Sequence, residues 1–172
     1  MRARAPTSSF VILGTGTGGG VVVRGHVLAG PNGVAGEWGH NTLPWPQPDE
    51  LPGPECYCGL RGCVETFLSG PGLSADFQRA TGNATRSEAI VERAGAGDEA
   101  ASACLARHEA RLARALASVI NVLDPDVIVL GGGLSNLQHL YERVPRIWGA
   151  WVFSDRVDTR LVPPVHGDTS RV

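Results

Sequence analysis

Ser9-Phe10-Val11-Ile12-Leu13-Gly14-Thr15-Gly16-Thr17-Gly18-Gly19-Gly20 is an apolar, β-rich run that empties directly into a chain of glycines. A short run of this kind ending at a glycine cluster reads as a buried strand feeding a backbone-shaped loop. The same unit recurs at Asp126-Val127-Ile128-Val129-Leu130, which runs into Gly131-Gly132-Gly133-Leu134-Ser135. Before that second unit, Leu105, Leu112, Leu116, Val119 and Leu123 fall at helical spacing over residues 98–123, with Asp98 placed as N-cap and Pro125 just beyond the end. Strand, glycines, helix, strand, glycines is an α/β order, and it puts both glycine loops at strand ends.

Outward from this frame, Val21-Val22-Val23-Arg24 and His26-Val27-Leu28-Ala29 read as two strands joined by a tight turn at Gly25. Residues 87–94 read as a helix, residues 136–151 as another broken at Pro145, and residues 159–162 as a strand. Residues 30–54 are rich in Gly, Pro and Trp and show neither a strand nor a helix period. A loop of that length inside a domain is functional if ordered. The cysteines that follow supply a reason for order.

The 172 residues suffice for one domain with a sizeable core, and 42% hydrophobic with 19% charged residues is a globular composition. A net charge of -2, with no basic cluster beyond Arg2 and Arg4, gives no footprint for nucleic acid or an anionic membrane surface. Apolar runs such as Val127-Ile128-Val129-Leu130 are far too short to span a bilayer, and the first ten residues lack the apolar core of a secretion signal. The expected setting is the cytoplasm and the expected ligands are small polar molecules. Glycine, at 23 residues, is about twice its average share, and its clustering points to binding loops.

Gly14-Thr15-Gly16-Thr17-Gly18-Gly19-Gly20 suits anion binding by converging backbone N–H groups, with a threonine hydroxyl as a further donor. It is neither the Walker pattern nor the dinucleotide fingerprint, since no Gly-Lys-Ser/Thr follows and a hairpin comes next. A glycine-rich turn or bulge is the alternative. Gly131-Gly132-Gly133 offers flat backbone against which a planar adenine or a ribose packs, or simply a sharp strand-to-helix turn.

Three cysteines, Cys56, Cys58 and Cys63, crowd within eight residues, with His40 upstream. Three thiolates and an imidazole satisfy tetrahedral zinc and leave no position open for a catalytic water, so such a site is structural. The alternative is plain buried cysteine. Glu37 and Glu65 flank this cluster and could accept hydrogen bonds from hydroxyls of a polyol; on the residues alone, ordinary surface glutamates are the simpler reading. Cys104 reads as core, and His26, His108 and His139 have no partner spacing for a metal.

Taken together, the glycine loop, Gly36-Glu37-Trp38-Gly39-His40, Cys56-Tyr57-Cys58-Gly59-Leu60-Arg61-Gly62-Cys63-Val64-Glu65, Leu68-Ser69-Gly70-Pro71, the stretch from Asp124 through Gly133, and His166-Gly167-Asp168 resemble the C-terminal half of the ROK family. The resemblance implies an actin-like, ribonuclease-H-like ATPase lobe: an α/β fold with a mixed sheet, helices and a zinc-braced loop. It implies that Gly14, Thr15 and Gly16 handle the phosphates of ATP and its Mg2+, and that Gly131, Gly132 and Gly133 handle the adenosine. It implies zinc on His40, Cys56, Cys58 and Cys63, and sugar hydroxyls on Glu37, His40 and Glu65. The activity implied is ATP-dependent phosphorylation of a hexose or N-acetylhexosamine, of the fructokinase or N-acetylglucosamine kinase type. The rival is the sugar-sensing lobe of a repressor, which would need a helix-turn-helix before the lobe.

The resemblance further implies that residues 1–172 form a single C-terminal lobe of a two-lobe sugar kinase, truncated at both ends, with residues 30–71 as the zinc-containing substrate loop. The family's Asp-x-Gly-Gly-Thr phosphate loop and the base aspartate of its Asn-Asp pair do not occur in this sequence. No catalytic residue is therefore expected in this chain, which alone should be inactive. A homodimer is possible for the complete protein.

Overall fold

The computed structural model describes residues 7–165. Arg2 and Arg4, and the His166-Gly167-Asp168 motif, lie outside the described residues. Strand β1 (Ser8–Leu13) forms an antiparallel hairpin with β2 (Thr17–Val23), in register from Ser8 opposite Val22 to Leu13 opposite Thr17. β3 (His26–Val27) folds back on β2 through Arg24 and Gly25, both at positive φ, as a two-residue hairpin turn requires. β4 (Val127–Gly131) pairs parallel to β1, and β5 (Arg160–Val162) parallel to β4, giving a mixed sheet ordered β3-β2-β1-β4-β5.

A parallel pair needs a crossover. Between β2 and β4 run α1 (Val64–Leu68), α2 (Gly70–Thr81), α3 (Ser87–Gly95) and α4 (Glu99–Leu123); α5 (His139–Trp148) links β4 to β5. Side chains alternate across the strands: Val11 and Leu13 are buried while Ile12 is half exposed, and Ile128 and Leu130 are buried between half-buried neighbours. These four join Leu112, Leu116 and Ile120 of α4 and Leu140, Val144 and Trp148 of α5 in one core. Each fully buried leucine there contributes about 1.5–3 kcal/mol. No helix among the described residues is long and apolar enough to cross a membrane.

Three local expectations change. The glycine run is not a seven-residue loop: only Gly14, Thr15 and Gly16 form the turn, and Thr17 through Gly20 already belong to β2. Pairing with β1 gives that bare backbone its ladder, and the missing side chains make room for other segments described below. Helix α5 is not broken at Pro145, and it starts at His139 only after a 3₁₀ turn at Gly133–Asn136. An internal proline costs about 3 kcal/mol, but Leu140, Val144 and Trp148, four apart and nearly inaccessible, bury enough apolar surface to exceed it. Finally, α1 and α2 are helices that periodicity did not mark.

Residues 30–63 are ordered, with 3₁₀ turns at Trp38–His40 and Pro48–Glu50. A buried ionic network fastens this stretch to the helices. Glu50 accepts from Arg111 Nε at 2.8 Å and from both terminal nitrogens of Arg114 at 2.9 and 2.7 Å. Asp76 of α2 accepts from Arg111 Nη1 at 2.8 Å and Arg107 Nε at 2.9 Å. Burial alone would raise both carboxyl pKa values; the guanidinium bonds, Arg114 foremost at Glu50 and Arg107 at Asp76, outweigh it and hold each at about 2.

Candidate functional site

The two glycine turns adjoin at the carboxyl ends of β1 and β4. Gly132 sits at φ 82, and a Cβ there would lie 2.5 Å from the Leu13 carbonyl oxygen, so only glycine lets the second turn press against the first. Ser135 Oγ donates to the Gly132 carbonyl at 2.7 Å and Tyr141 Oη to that of Ser135 at 2.6 Å, which fixes the second turn. In the first, Thr15 is exposed, and the Gly14 carbonyl accepts from Gly70 N at 2.8 Å, tying the turn to the start of α2. Ser69 caps that helix, its Oγ accepting from Gly72 N at 3.1 Å.

The bare strand beyond the turn is where the substrate loop rests. Glu65 Oε2 accepts from Thr17 N at 2.8 Å, and a Cβ at Gly16 would come within 2.7 Å of that same oxygen. Trp38 Nε1 donates to the Gly18 carbonyl at 2.8 Å, and the place of a Gly18 side chain lies 4.0 Å from Glu37 Oε2. Gly39 is buried so closely on the Thr17 carbonyl that any Cβ would collide with it. Glu37, His40 and Glu65, separated in sequence, are thus arrayed along the start of β2, next to the Gly14–Gly16 turn.

His40, Cys56, Cys58 and Cys63 place one ligand atom each within 4.8 Å of all the others. Cys58 and Cys63 Sγ are 3.6 Å apart, and Cys56 Sγ is 3.5 Å from His40 Nδ1. A tetrahedron with bonds of about 2.3 Å has edges near 3.8 Å, so the donor set and its spacing fit zinc. All three cysteines are free thiols. The backbone N–H of Leu60, aided by the neighbouring thiols and His40, brings Cys58 down to about 7, while burial and the adjacent sulfurs push Cys63 up to about 12. The turn is closed by Cys56 N donating to Leu60 O at 2.9 Å and Gly59 N to Cys56 O at 3.0 Å, and bridges Thr42–Cys63 and Glu55–Arg61 hold its flanks.

A cleft of about 440 Å³ opens here, lined by Thr15, Gly16, Tyr57, Glu65, Ser69 and Pro71 among others. A larger one, about 540 Å³, lies between Asp124, Asp126, Arg156 and Arg160 at the amino ends of β4 and β5. Ligands of open α/β sheets bind outside the carboxyl ends of the strands, so the smaller cleft is the candidate. Two of its features escaped sequence reasoning. Tyr57, between two predicted ligands, places its hydroxyl 2.9 Å from His40 Nε2; its position inside the cysteine motif was the available signal. Glu50, which anchors the loop, is one acidic residue in a proline-rich stretch and gave none.

A mixed sheet with paired glycine turns at the carboxyl ends of adjacent parallel strands, crossed by a helical layer, is an actin-like ATPase lobe, here carrying a cysteine–histidine knuckle. The chain belongs to the ROK family, which it matches over residues 2–172. It is 41% identical over 149 residues to the N-acetyl-D-glucosamine kinase of Pasteurella multocida (strain Pm70), a match covering 84% of this chain and 49% of that protein. Its fold superposes on a ROK hexokinase from Thermus thermophilus with a TM-score of 0.78 at 31% identity, covering 92% of this chain and 52% of that one. On a ROK family glucokinase from Streptomyces griseus, solved in complex with glucose and AMPPNP, the TM-score is 0.81 at 25% identity, with 97% and 58% covered. The chain spans about half the length of the curated relatives it matches.

Proposed function

We propose that this chain is the nucleotide- and sugar-binding half of an ATP-dependent kinase for a hexose or N-acetylhexosamine. The observation that carries the reading is the placement of the Glu65 carboxylate on Thr17 N, immediately behind the Gly14–Gly16 turn, with Glu37 and His40 on the adjoining loop. Sugar-binding and phosphate-binding groups are then neighbours, as phosphoryl transfer requires. The names of the relatives favour an N-acetylhexosamine or glucose over fructose as substrate, and a kinase over a repressor.

In this reading the Gly14–Gly16 amides and the Thr15 hydroxyl hold the ATP phosphates, and Gly131, Gly132 and Gly133 pack on the adenosine. Mg2+ arriving with ATP supplies charge neutralisation of the phosphoryl group. One Glu65 oxygen stays on Thr17 N, and the carboxylate's remaining acceptor capacity, with that of Glu37, orients sugar hydroxyls. Zinc, held by Cys56, Cys58, Cys63 and His40 Nδ1, braces the loop and leaves His40 Nε2–H to donate outward. Among the described residues, the carboxylates lining the cleft are Glu55 and Glu65, and no aspartate lines it. The general base is accordingly assigned to the part of the relatives' length that this chain does not span.

Calorimetric titration of the zinc-loaded chain tests the reading. N-acetylglucosamine or glucose should bind, and ATP with Mg2+ should bind independently of sugar. A chain that binds sugar and never ATP would return the lobe to the sugar-sensing alternative; one that binds no sugar would overturn the assignment.

A further inference from the structure

Tyr57 is 83% exposed, yet its phenol is aimed inward. Its hydroxyl is 2.9 Å from His40 Nε2, and the two rings meet edge to face with centroids 5.1 Å apart. The charges of Glu65, and less strongly of Cys56, Cys58 and Glu37, raise the phenol pKa, which places that hydroxyl in the middle of the acidic cluster. The other ring nitrogen of His40 faces Cys56 Sγ. Both nitrogens of the imidazole are therefore engaged, one by the knuckle and one by Tyr57.

Resting on the sugar-site reading above, we propose that Tyr57 is a gate on that site: its hydroxyl occupies the position on His40 Nε2 that a sugar hydroxyl takes, and the side chain swings out when sugar binds. With Nδ1 turned to the metal, the imidazole carries its proton on Nε2, so a single N–H is shared between two competing acceptors. The backbone of Tyr57 is held between Cys56 and Cys58, which keeps the ring close to its target whichever rotamer it adopts. Its exposure leaves the side chain free to move on the timescale of surface rotamers. Sugar affinity is then reduced by the fraction of chains in which Tyr57 is closed.

Tyr57→Phe removes the hydroxyl and leaves ring, backbone and metal ligands in place. Sugar titrations of the zinc-loaded chain and of this variant should show affinity tightened by about three- to tenfold, the range expected for one competing hydrogen bond. ATP affinity and zinc content should be unchanged. In 15N spectra of the histidine side chains, the His40 Nε2 signal should move on Tyr57→Phe, and sugar should shift it less in the variant than in the wild type. Tyr57→Ala should also tighten binding if the phenol only blocks the site. Weaker binding by Tyr57→Phe would make the hydroxyl a direct sugar contact and overturn the gate, as would unchanged affinity with an unmoved His40 signal. Absence of sugar binding in all three proteins is a different result, which overturns the sugar-site reading and the gate together.

Discussion

His40 carries two tasks through two nitrogens, and the geometry separates them: Nδ1 points to Cys56 and Nε2 into the cleft. The zinc proposal follows from the four donors gathered within 4.8 Å. Protein purified without added metal should contain about one zinc per chain, and Cys58→Ser should fall well below that and lose amide protection over residues 40–63. Full metal content in the variant would contradict the ligand set. At Glu65, glutamine keeps an oxygen for Thr17 N but removes the charge that grips hydroxyls. Glu65→Gln should therefore weaken sugar binding on the order of tenfold or more, the loss of a charge-assisted bond, and leave ATP binding nearly intact, as read by titration with each ligand. Unchanged sugar affinity would return Glu65 to a purely structural part.

Among the elements, those with their own local signal were legible. β1 and β4 showed as β-branched runs ended by glycine, and α4 as an apolar period capped by Asp98, whose side chain does accept from Ala101 N at 2.9 Å. Helix α2 was not legible because Gly70-Pro71-Gly72 opens it with three residues of poor helical repute; its real signals are the Ser69 cap and Gly82 in the left-handed C-terminal position. The glycine run hid a strand for a related reason: bare positions look like loop until one sees what lies across them. Glu50, Asp76 and the three arginines of α4 could not be paired from sequence, since Glu50 and Arg111 lie 61 residues apart.

That network makes the clearest stability prediction. Removing one partner from a buried ion pair costs about 3–5 kcal/mol, a large share of a domain's 5–15 kcal/mol, so Glu50→Gln should lower the denaturation midpoint sharply. Since folding lowers the Glu50 pKa from 4.5 to about 2, its contribution is fully present above pH 4.5 and fades as pH falls toward 2. The wild-type advantage over Glu50→Gln, followed by denaturant melts, should shrink through that window. An advantage independent of pH would mean that the carboxylate charge is not what anchors the loop.

For the molecule as a whole, two clefts at opposite ends of the sheet are rival places for ligands. Function is assigned to the end where both glycine turns, the bare strand and the knuckle converge. With no aspartate among the described residues lining that cleft, the chain alone should show no sugar-dependent ADP release above background, whatever hexose or N-acetylhexosamine is offered. Steady turnover by the chain alone would place a competent base within it.

Most direct is a map of where ligands touch. Backbone spectra of the labelled, zinc-loaded chain should be recorded with N-acetylglucosamine and, separately, with AMPPNP and Mg2+. Sugar should perturb residues 16–18, 37–40, 57 and 65, and nucleotide residues 14–16 and 131–135. Perturbations confined to residues 124–126 and 154–160, around the other cleft, would contradict this assignment.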